Sequence, residues 1–345
     1  MKAPARGSKP SSGWARRGRI RGITLAMALI AALSGCSALN GSSDPGSADS
    51  GNSQVEKSAI TIGILQTPDD APVELAKVDN LFKAVGLNPT IKIFKQGPDM
   101  YPALANGSVD IALTNYVSFF NAAAKKTLNA KIVADAYAAT PSAFVLLVGP
   151  NSPIKTVADL QGKKIATQAP GNINELILRS LLQTNNLNPN SPQYLPVHFP
   201  DMPAALASGQ IDAATELEPY ITEAERNQGD HSPFALITDA TNGMPLSGYI
   251  ASSSFISKNP RTIAAFQQAM VKANTAITQP GEASKVLPQL TGVPANLVPM
   301  LVPNLGSYPT SLDAKRLQRV VTLMTTYGVL SQPLNVQTLM VPLAK

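Results

Sequence analysis

The sequence predicts an α/β molecule of two lobes, each a mostly parallel sheet flanked by helices. Three observations carry that expectation. Segment 98–112 returns 102 positions later as segment 200–214, with nine of fifteen residues identical. Each copy reads as a short Ala-Leu-Ala helix stopped by a glycine suited to a left-handed C-cap, followed by a β-branched residue that opens a strand. Around both copies, apolar strands alternate with helical stretches in the order that gives parallel βαβ units. A stacked solenoid is excluded, because its units run about 20 to 50 residues and need at least three copies.

The ends lie outside that fold. Residues 1–36 hold seven Lys and Arg with no acid, then an apolar run from Ile23 to Leu33 closing in Leu33-Ser-Gly-Cys36. A basic start and a short apolar core describe a secretory signal. The run is too short to span a bilayer, which needs about 20 residues. Cys36 is the only cysteine, so no intramolecular disulfide forms. Arg16-Arg17 leaves the choice between general and twin-arginine export open. Residues 37–57, rich in Ser, Gly, Asp and Asn, have the composition of a flexible tether reaching roughly 25 Å.

The net charge of +6 includes the seven basic residues of the leader, and without them the chain stands at −1. No basic cluster with interleaved aromatics remains, so a nucleic-acid partner is not expected. About 290 residues are left for two lobes with their own cores.

The first lobe, residues 58–148, opens with a buried strand over Ala59–Leu65. The polar turn Gln66-Thr-Pro-Asp-Asp70 leads into a helix begun near Pro72 and ended at Gly86. A strand at Ile91–Phe94, the first repeat copy, a helix over Val117–Lys125 and a strand at Lys131–Tyr137 follow. Phe144–Pro150 is an apolar strand ending in a breaker, and the chain crosses to the second lobe near Gly149. The second lobe, 149–248, holds a short helix in Ile154–Gly162, a strand at Lys163–Thr167, the turn Gln168-Ala-Pro-Gly-Asn172 and a helix over Ile173–Asn185. Asn172 with Glu175 forms a capping-box pattern. The second repeat copy comes next, and a strand at Ser247–Ser252 returns the chain to the first lobe. Residues 249–345 supply that return and C-terminal helices that pack on the first lobe.

The repeat strands end in Thr114-Asn115 and Thr215-Glu216. Ligands of open α/β sheets bind beyond the carboxyl ends of the strands, so the two ends can share one cleft. The turn 168–172 feeds a helix N-terminus whose free N–H groups and dipole suit an anionic or accepting ligand group.

Segment 200–214 with Glu218-Pro-Tyr220, Val157-Ala-Asp-Leu-Gln-Gly-Lys-Lys-Ile165 and Ile256-Ser-Lys-Asn-Pro260 together resemble the extracytoplasmic solute-binding proteins of ABC importers. The branch is the NMT1/THI5-like one of sulfonate, taurine, nitrate and thiamine-pyrimidine binders, and the resemblance covers Ala59 to Ile277. The end of the leader, Leu33-Ser-Gly-Cys36, resembles the lipobox of bacterial lipoproteins, in which cleavage leaves Cys36 N-terminal and acylated, for instance by palmitate. Two or more acyl chains hold a protein stably at a membrane.

The resemblance implies a type II periplasmic-binding-protein fold with a two-segment hinge and a ligand closed between lobes. It implies a monomer outside the cytoplasm, an ABC permease and ATPase as partners, and neither cofactor nor metal. It places ligand contacts at Gln66, Thr67, Asp69 and Asp70, at Thr114, Asn115 and Tyr116, and at Thr140. In the second lobe it adds Gln168, Gly171, Asn172, Glu216 and Glu218, with Met244 at the return.

The five Arg residues beyond the leader, at 179, 226, 261, 316 and 319, lie off these loops, so a bidentate Arg clamp is not expected. Two or more of Asp69, Asp70, Glu216 and Glu218 facing inward would call for a ligand with a cation or N–H donors; the alternative, that the aspartates cap a helix and Glu218 braces its loop, stays open. An enzyme on the same fold, of the thiamine-pyrimidine-synthesising or desulfinating kind, is disfavoured because no thiol follows Cys36. His198 and His231 sit in proline-containing loops without metal-ligand spacing. A non-transport lipoprotein with a sensing or adhesion role is the other alternative.

Overall fold

A computed structural model describes residues 54–344, so the leader, Cys36 and residues 37–53 of the tether lie outside the described residues. Beginning at β1 (Thr61–Ile64), the chain runs through α1 (Ala71–Val78), α2 (Leu81–Ala84), β2 (Thr90–Ile93), α3 (Met100–Ala105), β3 (Ile111–Asn115), α4 (Tyr116–Ala124) and β4 (Ala130–Ala138). It continues with β5 (Val145–Leu147), β6 (Lys164–Thr167), α5 (Ile173–Thr184), β7 (Gln193–Pro196), α6 (Met202–Ala207), β8 (Ala213–Glu216) and α7 (Tyr220–Gln228). The last strand is β9 (Pro245–Ser252), and the helices α8 (Ser253–Lys258), α9 (Pro260–Ala276), α10 (Glu282–Thr291), α11 (Val298–Leu301) and α12 (Ala314–Thr326) follow it.

Two sheets result, one in the order β2-β1-β3-β9-β4 and one in the order β5-β8-β6-β7. In each, a parallel trio carries the core: β1 pairs β2 and β3 in the first, and β6 pairs β7 and β8 in the second. The fourth strand of each arrangement, β9 beside β3 and β5 beside β8, runs antiparallel. The sheets are therefore mixed around a parallel core, because these two strands enter from the opposite lobe.

The repeated segment is the internal unit of both sheets. Gly107 and Gly209 stop α3 and α6 at φ +76° and +71°, a left-handed conformation that L side chains resist, while neither has a neighbour that a Cβ would meet. The aspartate that follows does equal work in both copies. Asp110 accepts a hydrogen bond from the Thr61 N–H at 2.8 Å, and Asp212 accepts one from the Lys164 N–H at 2.8 Å. Each carboxylate so secures the first strand of its sheet. Met100 and Met202, one in each α3/α6 helix, are fully buried.

Several elements depart from the sequence reading. The helix expected from Pro72 to Gly86 breaks at Asn80, which takes φ 56° and separates α1 from α2; Asn tolerates that conformation better than most residues. The helix expected in 154–162 is a 3₁₀ turn over Val157–Leu160, closed by a Thr156–Asp159 capping box. The crossing expected near Gly149 comes earlier, because β5 already pairs with β8 of the second sheet. Gly149-Pro150 ends that strand and does not mark the crossing. The return likewise precedes residue 249, since β9 starts at Pro245 in the first sheet. The two crossings run side by side: the Ala139 N–H donates to the Met244 carbonyl and the Gly243 N–H to the Ala139 carbonyl, both at 2.9 Å.

Residues 54–57, read as the end of a tether, dock on the body. Val55 packs against the core. Glu56 accepts from the Arg261 Nε at 2.9 Å and the Thr262 N–H at 2.9 Å, and the Lys57 ammonium lies 2.7 Å from Asp110. The partners are 53 to 206 residues distant, so local composition could not reveal them.

C-terminal helices cover the first lobe, with α9 and α10 against α1, and α9 also against β4. Contrary to the expectation of a first-lobe location throughout, α12 touches α4 of the first lobe and α5 of the second. Gly248 in β9 marks the tightest approach inside the first lobe, since a Cβ there would overlap the Tyr116 hydroxyl.

Candidate functional site

The carboxyl ends of the strands in both sheets converge on one cavity of about 50 Å³. From the first lobe come Thr67 and Asp69 after β1, Asn115 at the end of β3, Tyr137 near the end of β4, and Ser247 in β9. From the second come Gln168 after β6, Asn174 in the first turn of α5, and Phe199 before α6; Phe144 belongs to the first crossing. Leu65, Leu113, Leu217, Leu246 and Ile173 complete the walls. A wider cleft of about 510 Å³ shares Leu65, Thr67, Gln168 and Phe199 with the cavity and opens past Gln66, Lys95, His198 and Tyr220. Phe199 joins the two spaces, with an edge contact to Phe144 and a stacked contact to Tyr220 at 6.2 and 6.3 Å between centroids.

Asp69 is the carboxylate of the cavity. Its carboxyl faces the hollow, which leaves it partly accessible, but protein surrounds it, and burial pushes it above the usual carboxylate range against the hydrogen bond donated by the Ser247 hydroxyl. The Thr67 hydroxyl is buried with no partner in the protein, which costs free energy unless something else bonds it. Asn174 donates to Thr215 at 3.2 Å, and the Thr215 hydroxyl donates to the Ala166 carbonyl at 2.9 Å, so Asn174 is held from below. Tyr137 is fixed by accepting from the Gly306 N–H and by tilting against Tyr308 at 5.2 Å.

Of the residues expected to contact a ligand, Thr67, Asp69, Asn115 and Gln168 line the cavity, and Gln66 stands in the outer cleft. The other expected contacts are spent elsewhere. Asp70, pushed well above its ordinary range by burial and by Asp69, accepts from the Leu65 N–H and the Tyr249 hydroxyl, both at 2.9 Å, and shapes the loop after β1. Thr114 bonds the Tyr101 hydroxyl at 2.8 Å, and Tyr116 donates to Asp135 at 2.9 Å. The Thr140 hydroxyl donates to the Leu305 carbonyl at 3.2 Å, and Met244 is buried with its backbone paired to Ala139.

In the second lobe Asn172 caps α5 by accepting from the Glu175 N–H at 3.3 Å. The Gly171 N–H donates to the Glu175 carboxylate at 2.8 Å. That carboxylate also pairs with Arg179 at 2.6 Å, so Glu175 ties the turn before the helix to its second turn. Glu218 accepts from the Thr222 hydroxyl and from Asn304, both at 2.9 Å, and braces its loop. Glu216 is fully buried, with one oxygen accepting from the Leu217 N–H at 3.2 Å and the other unpartnered; burial raises its carboxyl well above the ordinary range. Neither glutamate lines the cavity.

Sequence reasoning missed Tyr137, Phe144, Asn174, Phe199 and Ser247. Ser247 had a signal, since it lies in the predicted return strand two residues from the buried Tyr249, on the same face by period-2 alternation. Phe199 had none, because the matching position of the first repeat copy is Gly97.

The family described as NMT1/THI5 like matches residues 67–283. A protein of Escherichia coli strain K12, provisionally named an aliphatic sulfonates-binding protein, is 32% identical over 209 residues, 59% of this chain and 63% of that protein. An ABC transporter periplasmic binding protein of Brachyspira hyodysenteriae, also provisionally named, is 27% identical over 194 residues, 52% of this chain and 54% of its own length. The chain thus spans less than two thirds of these relatives. Among solved structures, the alkanesulfonate-binding protein of Xanthomonas axonopodis pv. citri bound to MOPS superposes with a TM-score of 0.70 at 22% identity, covering 83% of this chain and 99% of that one. That likeness shows the fold, a periplasmic-binding-protein architecture.

Proposed function

Because the chain belongs to the NMT1/THI5-like family, we propose that it is the solute-binding protein of an ABC importer, holding a small polar ligand between its two lobes. The observation that carries this reading is a cavity walled by strand ends of both sheets. At about 50 Å³ it has room for a few water-sized groups, while the adjoining cleft of about 510 Å³ falls in the range of ligand sites. A ligand therefore enters through separation of the lobes and is enclosed by their approach, with the paired crossings at 139 and 243–244 as the two-segment hinge. Sulfonate-, taurine- or nitrate-like molecules and aminopyrimidines are the ligand classes considered, and the names of the relatives favour the first.

Thr67, Asp69, Asn115 and Gln168, with Tyr137, Asn174 and Ser247, are the polar contacts in this reading, and binding without catalysis is part of it. Cys36 carries the lipid that holds the protein, as a monomer, on the outer face of the cell membrane, where it meets an ABC permease and its ATPase. Thermal unfolding against a panel of alkanesulfonates, taurine, nitrate and aminopyrimidines tests the solute-binding role. A ligand at 100 times its dissociation constant adds about 2.7 kcal/mol to stability, a shift of several degrees. A native-like protein that responds to no member of a broad panel would remove the reading.

A further inference from the structure

Resting on that reading, we propose that the inner cavity receives a nitrogen-bearing head group, an ammonium or an aromatic amine, with Asp69 as its acceptor. Among the described residues, no Lys, Arg or His lines the cavity. Its acidic side chain is Asp69, and three aromatic rings, Tyr137, Phe144 and Phe199, line the same walls. Burial favours the neutral form of this carboxyl, and a cation or N–H edge beside it favours the ionised one, which offers about four lone-pair sites of which Ser247 uses one. The unpartnered Thr67 hydroxyl, 7% exposed and in the same wall, adds a second acceptor.

An acceptor carboxylate among aromatic faces attracts a cation or an N–H edge. A bare sulfonate or nitrate in the same place would find no side-chain cation, and would either be repelled by the Asp69 carboxylate or drive that carboxyl further toward its neutral form. Before α5, the Gly171 N–H donates to the Glu175 carboxylate, which Arg179 pairs at 2.6 Å. Size points the same way, since the cavity admits a head group while the rest of the ligand extends into the outer cleft. Lys95 and His198 stand at that outer end beside Asp201, so a negative charge on the tail finds a cation there that the inner cavity does not offer. A ligand with its nitrogen inside and any negative charge outside satisfies both ends.

Calorimetric titration of the intact body with two matched pairs tests this: taurine against ethanesulfonate, and 4-aminopyrimidine against pyrimidine. The amine-bearing member is expected to bind at least tenfold more tightly than its mate. Asp69→Asn, which keeps size and shape, should shrink that preference to below threefold, while Asp79→Asn, the same change at an exposed aspartate outside the cavity and the cleft, should retain it. Equal or tighter binding of the amine-free member, or a preference that survives Asp69→Asn, overturns the inference while leaving solute binding intact. Failure of both pairs to bind overturns it as well, and the broader thermal panel then decides the solute-binding reading separately.

Discussion

Asp110 and Asp212 show how much a single repeated residue can carry. Each sits just before a repeat strand and takes the first N–H of the neighbouring strand, so one identity in the sequence marks one hydrogen bond in each sheet. Asp135 was invisible to such reasoning because its partners, Tyr116 and Arg316, come from positions 19 and 181 residues away. Burial pushes its carboxyl up to about 7, against the pull of Arg316 and the Tyr116 hydroxyl. The folded protein then holds this proton more firmly than the unfolded chain, whose aspartate titrates near 3.8. The resulting stabilisation is complete below that value and is lost as pH rises through about 7. Melting temperature should accordingly fall between pH 4.5 and 8, and Asp135→Asn should flatten the fall. A slope identical in wild type and variant would show that Asp135 does not titrate in this window. Glu56 works in the opposite sense: against burial, hydrogen bonds from Thr262 and Arg261 bring it from 4.5 to about 2, so the docking of residues 54–57 weakens as pH falls below about 4.5 toward 2.

At the level of elements, period and punctuation located the strands and helices well where the signal is local. β1, β6, α5 and both repeat units follow from apolar runs, glycines and a capping pattern within a few residues. The failures have local causes of another kind: one left-handed Asn80 divides a helix whose apolar spacing continues through the break. The α5 start is instructive because the cap was legible and the consequence was not. Asn172 holds the Glu175 N–H, and Glu175 turns back to the Gly171 N–H, which ties the turn to the helix it precedes. Asn172→Ala should lower stability by about 1 kcal/mol, within the usual range for lost caps, read as a shift of the urea midpoint with unchanged slope. A neutral result would mean that the buried, unpartnered Asn172 amide offsets the cap.

For the whole molecule, the 102-residue offset sufficed to announce two lobes, since a period of that length places one unit in each sheet. It could not announce which side chains meet, because the cavity joins Asp69 to Ser247, 178 residues apart, through strands that cross between lobes. Four of the expected contacts line the cavity, and most of the rest were drawn into hydrogen bonds that build the loops themselves. The paired crossings make lobe motion the expected response to ligand. Small-angle scattering with and without the best binder from the thermal panel should show a smaller radius of gyration in its presence, and an unchanged radius would assign binding without closure.

The docked residues 54–57 fasten to Asp110 and α9, at the amino ends of the first-sheet strands, while the cavity lies at their carboxyl ends. A pull arriving through the polypeptide at Gln54 is consequently borne by the far rim of one half. Were Cys36 lipidated as proposed, tension along the chain would not load the rim at which the cavity opens.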